Sequence, residues 1–352
     1  MGMRLADYAR WMEQHESVAR PAYSRMMRTG DGLDIPEPTR AEEQDGVRKF
    51  CLPVPGPDGH SLETESVIIP MNGHHGNNWM TLCVSSQVGC RMACSFCETG
   101  GMGLLANLAP AAIVAQRIAA RRFLLPGGPE GGNNAWRQWR YKDDGIANIV
   151  FMGMGEPLDN FDAVVHAISV LSDPAGLNFP VAHITISTVG RIDGIRKLAA
   201  LGWRNLRIAV SLNAARDDVR NELMPINRGM PLAELQRALI EYPLGPKGRY
   251  CIEYVLMKGV NDSASDADLV AEWCRPLRCI VNVIPYNPQR DARFAPPSDD
   301  VLLAFMNRLK ERGQFVKRRV THGRDLMGAC GQLGNSERRR SGASLRPAAT
   351  AI

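Results

Sequence analysis

The 352-residue sequence has no stretch of about 18 consecutive apolar residues, the length a membrane-spanning helix requires. No membrane helix is expected. Its first residues, MGMRLADYARW, carry too many polar groups for the apolar centre of a secretion signal, so the expected compartment is the cytoplasm. Net charge is scant as well, at +5. So small a value is compatible with a nucleic-acid partner without demanding one, and charge leaves the ligand class open. In a reducing compartment the nine cysteines do not read as a disulfide framework. Three of them fall between positions 90 and 97, a density that points to metal binding or thiol chemistry.

With 45% hydrophobic residues the chain can bury a full core, with room for one barrel-sized domain of roughly 250 residues and smaller additions. The opening LADYARWMEQHESVARPAYSRMM mixes apolar and polar positions at helical spacing, interrupted at Pro21, and DGLDIPEPTRAEEQDG has the composition of a connector. Residues 1–60 are therefore expected to be a short helical region and connector. From about Ser61, short apolar runs alternate with amphipathic segments, the pattern of a parallel sheet with helices outside it. Strands are expected at Met80 to Ser85, Ala147 to Met152, His183 to Ser187, Leu206 to Leu212, Cys251 to Met257 and Ile280 to Pro285. Helices such as Pro110 to Arg122 and Phe161 to Leu171 lie between them. The repeat of roughly 30 to 40 residues is that of βα units. The expected fold is α/β, an incomplete (β/α)6 barrel over 61–334, with a last strand at Phe315 to Val320 before the segment holding Cys330. Pro126 to Gly145 reads as a surface insertion, and 335–352 as a disordered basic tail.

Each expected strand ends in a short polar or glycine-rich motif: SSQVGCRMACSFC, GMGEP, STVG, SLNA, KGVND and PYNP, in chain order. A parallel barrel builds its site from the loops at the carboxyl ends of its strands, so these six motifs should meet at one mouth.

Within the first, Cys90, Cys94 and Cys97 have the spacing CxxxCxxC. Three thiolates on a tight loop can hold three irons of a [4Fe-4S] cluster and leave the fourth without a protein ligand. An open iron suits S-adenosylmethionine (SAM), whose amino and carboxylate groups can chelate it before an electron enters the sulfonium and a 5'-deoxyadenosyl radical forms. The alternative is zinc, which takes four ligands, and no fourth Cys or His lies at a suitable spacing. In GMGEP the glycines admit a close ligand, and Glu156 can accept hydrogen bonds from the amino end of SAM. Ser187, Ser211, Asn213 and Asn287 offer neutral donors and acceptors for ribose, carboxylate and adenine. Each alone reads as a turn residue, and their strength lies in recurring at successive strand ends.

From Glu65 to about Leu333 the chain resembles the radical-SAM adenosine methyltransferases of 23S rRNA, the RlmN/Cfr family. The matching segments run in order through ESVIIP, TLCVSSQVGC, CSFCETG, FMGMGEPLDN, STVG, SLNA, MPINR, IEYVLMKGVND, IPYNP and ACGQL. The resemblance implies a radical-SAM barrel, a [4Fe-4S] cluster on Cys90, Cys94 and Cys97, and SAM contacts at Gly155, Glu156, Ser187, Ser211, Leu212, Asn213 and Asn287. It implies that Cys330 accepts a methyl group and carries the one-carbon unit, that Cys83 is the second cysteine of the pair, and that Glu65 is the proton acceptor. It further implies methylation of adenosine C2 in 23S rRNA with tRNA as a further substrate, a flavodoxin- or ferredoxin-type reductant, and action as a monomer. C8 methylation, the antibiotic-resistance activity, is the alternative, as is a paralogue acting on another RNA or a small molecule.

The implied chemistry is physically coherent. Adenine C2 and C8 are electrophilic, so simple displacement on the SAM methyl group is closed to them, and a radical route through a protein-bound carbon is needed. The thioether to the protein must then break, which a second thiol can do by forming a disulfide. Three segments depart from the family pattern. The region before Glu65 is shorter than the usual N-terminal helical domain. The loop before Cys83 is longer and holds His74 and His75, which read as solvated rather than as ligands. The insertion interleaves Trp136, Arg137, Trp139, Arg140 and Lys142, as RNA-contacting loops can and as a partner-free surface loop can equally. Cys51, Cys251, Cys274 and Cys279 have no motif around them and read as structural, and Arg91 and Met92 read as ordinary loop residues.

Overall fold

Apolar runs such as IANIVF and CIVNVIP are too short for helices and are buried or half-buried along their whole length, so they form central strands of a layered α/β structure. The computed structural model of the protein describes residues 1–57, 59–72, 78–124, 144–290 and 292–334. Seven parallel strands make its centre: β4 (Asn78–Cys83), β7 (Ile146–Phe151), β8 (Ile184–Thr188), β9 (Arg207–Ser211), β10 (Tyr250–Leu256), β11 (Cys279–Pro285) and β12 (Val316–Arg318), paired in that order. The six strands expected from the sequence are all present, and the short β12 lies within the last strand expected at Phe315 to Val320. Between them run α4 (Pro110–Leu124), α5 (Phe161–Leu171), α6 (Ile192–Ala200), α8 (Leu232–Glu241), α9 (Ala264–Cys274) and α10 (Asp299–Glu311). Their apolar faces pack on the sheet in one continuous core that includes Ile149, Ile186, Val210, Ile252 and Val283.

Three antiparallel strands extend this sheet: β1 (Arg40–Gln44), β2 (Val47–Pro55) and β3 (Ser61–Asn72), with β3 pairing onto β4. The reading of residues 1–60 as helix and connector is corrected here. It is helical only through α1 (Leu5–Trp11) and α2 (Glu16–Thr29), and the connector ends where β1 begins. The sequence concealed β1 because RAEEQ is a polar edge strand with no buried alternation. Pro21, expected to interrupt the first helix, lies inside α2, whose buried Ala19, Tyr23 and Met27 hold it against the protein. The helices dock through Asp173, whose carboxylate accepts the Leu5 N–H at 2.8 Å.

Ahead of α4, β5 (Gln87–Cys90) and β6 (Gly103–Asn107) form a separate hairpin around the short α3 (Glu98–Gly101). The hairpin carries the cysteine loop. The expected insertion, apart from Asp144 and Gly145, lies outside the described residues, as do His74, His75 and the tail after Gly334. No helix among the described residues is long and apolar enough to cross a membrane.

Candidate active site

The carboxyl ends of the parallel strands surround a cavity with about 1020 Å³ of empty space, open solvent at its mouth included. Cys90, Cys94 and Cys97 line it, together with Gly155, Glu156, Ser187, Ser211, Asn213, Asn287 and Cys330. Ten residues singled out in the sequence thus meet in one place. Three do not. Leu212 is fully buried behind the wall, and Cys83 and Glu65 lie outside the lining.

Cys90 ends β5, Cys97 precedes α3, and the loop between them turns through Ala93 at φ +52°. Gly100 permits that turn to pack closely, since a β-carbon there would stand 2.9 Å from the Cys94 carbonyl oxygen. Burial pushes all three thiols above their ordinary range, and the charge of Cys97 would raise Cys90 and Cys94 further. As thiolates they need a positive partner, which iron provides. Among the described residues, no three His, Cys, Asp or Glu side chains gather round a point that would hold a single metal ion. A lone zinc takes four ligands, whereas a [4Fe-4S] cluster takes three thiolates and keeps its fourth iron open, so this set of three thiols fits the cluster.

Glu156 follows the tight turn at Gly155, which has φ +100°. Its carboxylate accepts the Val189 N–H at 2.8 Å and the Leu158 N–H at 3.0 Å. Burial pushes it up to about 7, against the pull of those N–H groups, Thr188 and Arg191. It is therefore a fixed acceptor awaiting a donor from the cavity, such as an amino group. Ser187 and Ser211 are half-buried at the ends of β8 and β9. Asn213, at φ +56°, accepts the Val255 N–H at 2.9 Å and so holds its loop to β10. Leu212 contributes backbone, its N–H bonding the Glu253 carbonyl at 2.9 Å.

Cys330 enters the wall on the segment after β12. Glu98 N–H bonds the Gly331 carbonyl at 2.8 Å, Gln332 Nε2 donates to the Pro288 carbonyl at 2.8 Å, and Asn287 Nδ2 donates to the Cys330 carbonyl at 3.2 Å. The segment is thus tied both to the cysteine loop and to PYNP. Cys83, the last residue of β4, sits behind Cys330; burial, then the nearby Cys330 thiol, pushes it up to about 12. Glu65, on β3, pairs with Lys49 at 2.9 Å and accepts the Gly334 N–H at 3.3 Å. Burial raises its carboxyl and Lys49 opposes the rise.

Several working residues carried no assignment from the sequence. Glu253 and Arg319 line the cavity, with Arg319 Nη1 3.5 Å from Glu253 Oε2. Glu253 stands within IEYVLMKGVND, but an acid inside a strand gives no sign of facing a cavity. Arg220, 1% exposed, donates to the carbonyls of Leu212 (3.0 Å), Ser211 (3.1 Å) and Val189 (2.6 Å), so one guanidinium pins two strand-end loops.

A family model described as the Radical SAM superfamily matches residues 84–269. A probable dual-specificity RNA methyltransferase RlmN 1 of Protochlamydia amoebophila is 41% identical over 286 residues, covering 81% of this chain and 74% of that protein. A dual-specificity RNA methyltransferase RlmN of Rhodospirillum rubrum is 42% identical over 310 residues, with 87% and 67% covered. The crystal structure of a radical SAM methyltransferase from Sphaerobacter thermophilus superposes with a TM-score of 0.81 at 33% identity, covering 94% of this chain and 97% of that one. The cysteine loop, the cavity it faces and these likenesses agree: the chain belongs to the radical SAM superfamily and, within it, to the family of RlmN-type methyltransferases that use a [4Fe-4S] cluster and SAM.

Proposed function

We propose that this enzyme methylates C2 of an adenosine in 23S rRNA in the cytoplasm, with tRNA as a further substrate. It acts as a monomer and takes electrons from a flavodoxin- or ferredoxin-type protein. The observation that carries the reading is Cys330 in the wall of the cavity that the three cluster thiols face, with a second thiol, Cys83, behind it. When bound, the cluster and SAM supply a carbon radical able to remove a hydrogen atom from a methyl group.

The chain's own residues divide the remaining work. Cys90, Cys94 and Cys97 hold the cluster. Glu156 accepts from the SAM amino group, and Gly155, Ser187, Ser211, Leu212, Asn213 and Asn287 shape the rest of its berth. Cys330 takes a methyl group from a first SAM and presents that carbon to the ring. Once the ring adduct has given up its ring proton and one electron, which the cluster would take back, Cys83 bonds to the Cys330 sulfur as the carbon–sulfur bond breaks. That bond's electron pair stays on the carbon, which takes a proton to complete the methyl group, and the disulfide remains on the protein. Glu65 is the proton acceptor, its carboxylate set outside the cavity lining against Lys49 and the Gly334 N–H.

Nucleosides from the rRNA and tRNA of a deletion strain and its parent, compared by mass spectrometry, test the substrate. Loss of 2-methyladenosine from 23S rRNA is expected. Loss of 8-methyladenosine instead would assign the alternative ring position, and no change in either RNA would overturn the proposal.

A further inference from the structure

Asp159, two residues beyond GMGEP and inside the matching segment FMGMGEPLDN, has no role assigned above. It lies in the single 3-10 turn Pro157–Asn160, and its carboxylate is 1% exposed. A buried carboxylate is costly unless its oxygens are satisfied by charged or dipolar donors. Here each oxygen has an arginine. Arg91 Nε reaches Oδ2 at 2.7 Å, Arg191 Nη1 reaches Oδ1 at 2.7 Å, and Gln87 Nε2 adds a third bond to Oδ2 at 3.1 Å.

The donors come from two other loops. Arg91 is the residue after Cys90, within the cysteine loop. Arg191 follows STVG and heads α6, where it also holds Asp193 at 2.8 Å. Gln87, at the start of β5, uses its amide oxygen to accept the Glu156 N–H at 2.8 Å. The carboxylate therefore joins three strand-end loops: the one that carries the cluster thiols, the one that presents Glu156, and the one whose Val189 N–H orients Glu156.

We propose that Asp159 is a positioning residue that latches the cluster loop, through Arg91, to the two loops that hold the amino end of SAM. Arg91 is then the arm of this latch rather than an ordinary loop residue. The physical requirement is plain. Cluster and SAM are gripped by different loops, yet one iron must meet one amino group, so the loops need a fixed mutual distance. Charge-assisted bonds to a buried carboxylate supply more rigidity than neutral contacts between exposed loops. The inference concerns the cluster loop and does not depend on which RNA is methylated.

The alternative is that Asp159 serves only its own turn. The two accounts differ over Arg91, whose side chain is 58% exposed and whose loss leaves the core untouched. Asp159→Asn, Arg91→Gln and the double variant are prepared, reconstituted anaerobically, and followed for iron release to a chelator. The apo proteins are treated with iodoacetamide, and alkylation of Cys90 is quantified by peptide mass spectrometry, which reads loop opening without any cluster. Each single variant is expected to release iron and to expose Cys90 roughly tenfold faster than wild type, and the double variant no faster than Asp159→Asn. SAM affinity is expected to fall in the same order, with four irons still bound at the start. If Arg91→Gln matches wild type in both assays, or the two substitutions multiply, the latch is refuted and Asp159 belongs to its turn alone.

Discussion

Glu156 shows how much a single residue's surroundings decide. A carboxyl whose ordinary value is near 4.5 is held up to about 7 by burial. Between those values the folded, ligand-free protein keeps a proton that the unfolded chain has released, so this group's contribution to stability declines as pH rises across that window. A bound amino group reverses the preference by favouring the ionised form, so binding expels the proton. SAM should therefore bind more tightly as pH rises towards 7, by up to about tenfold per pH unit. Glu156→Gln should weaken binding, leave iron and sulfide content unchanged, and flatten that part of the pH profile. Titrating SAM into reconstituted protein from pH 5.5 to 8 checks this, and an unchanged affinity in the variant would move the role elsewhere. The same residue marks what the sequence disclosed. GMGEP identified Glu156 as an acceptor, whereas its two backbone partners and the Arg191 field arise only from folding. Glu253 and Arg319 escaped notice for a related reason: no spacing rule marks an acid in a strand and an arginine in a basic run as facing one cavity.

At the scale of elements, the loops between strands and helices carry the site, and their geometry depends on a few glycines. Gly155 is the clearest, because its φ of +100° is a conformation other residues rarely adopt and a β-carbon there would lie 2.6 Å from the Gln87 β-carbon. Gly155→Ala must displace Gln87, which holds both the Glu156 N–H and Asp159. A loss of about 1 to 3 kcal/mol is expected from strain at such a position. Urea unfolding measures it, and a midpoint equal to wild type would show that the turn is looser than described here. The strands themselves were largely legible, since buried parallel strands have no polar face and leave short apolar runs such as IANIVF. Those outside the parallel core were not. RAEEQ in β1 is mostly exposed, VRKFCLPVP in β2 holds two prolines, and β5 is only four residues long and lies inside a motif read for its cysteines.

For the whole molecule, the incomplete barrel explains how thiols far apart in the sequence come to one region of the fold. The parallel strands set a mouth at their carboxyl ends, the β5–β6 hairpin brings three cysteines to one side of it, and the segment after β12 brings Cys330 to the wall. Cys83 arrives independently, from the end of β4, the strand at which parallel and antiparallel halves of the sheet join. Cys330 and Cys83 are 247 positions apart in sequence (330 minus 83), so no local pattern could have paired them; only the ordered likeness to a family did so before the fold was known. That pairing is the centre of the account, and the most direct measurement is to separate its two halves. Purified Cys330→Ala and Cys83→Ala, each reconstituted and reacted with SAM, reductant and an rRNA fragment, are resolved on denaturing gels. Cys330→Ala has no carbon carrier and should gain no methyl group and form no bond to RNA. Cys83→Ala should still load its methyl group and add to adenine but fail to release it, so a covalent adduct of protein and RNA accumulates. If both were packing residues, each substitution would cost only about 1 to 3 kcal/mol of stability and neither would yield an adduct. A fully active Cys83→Ala, or an adduct from Cys330→Ala, would contradict the assignment.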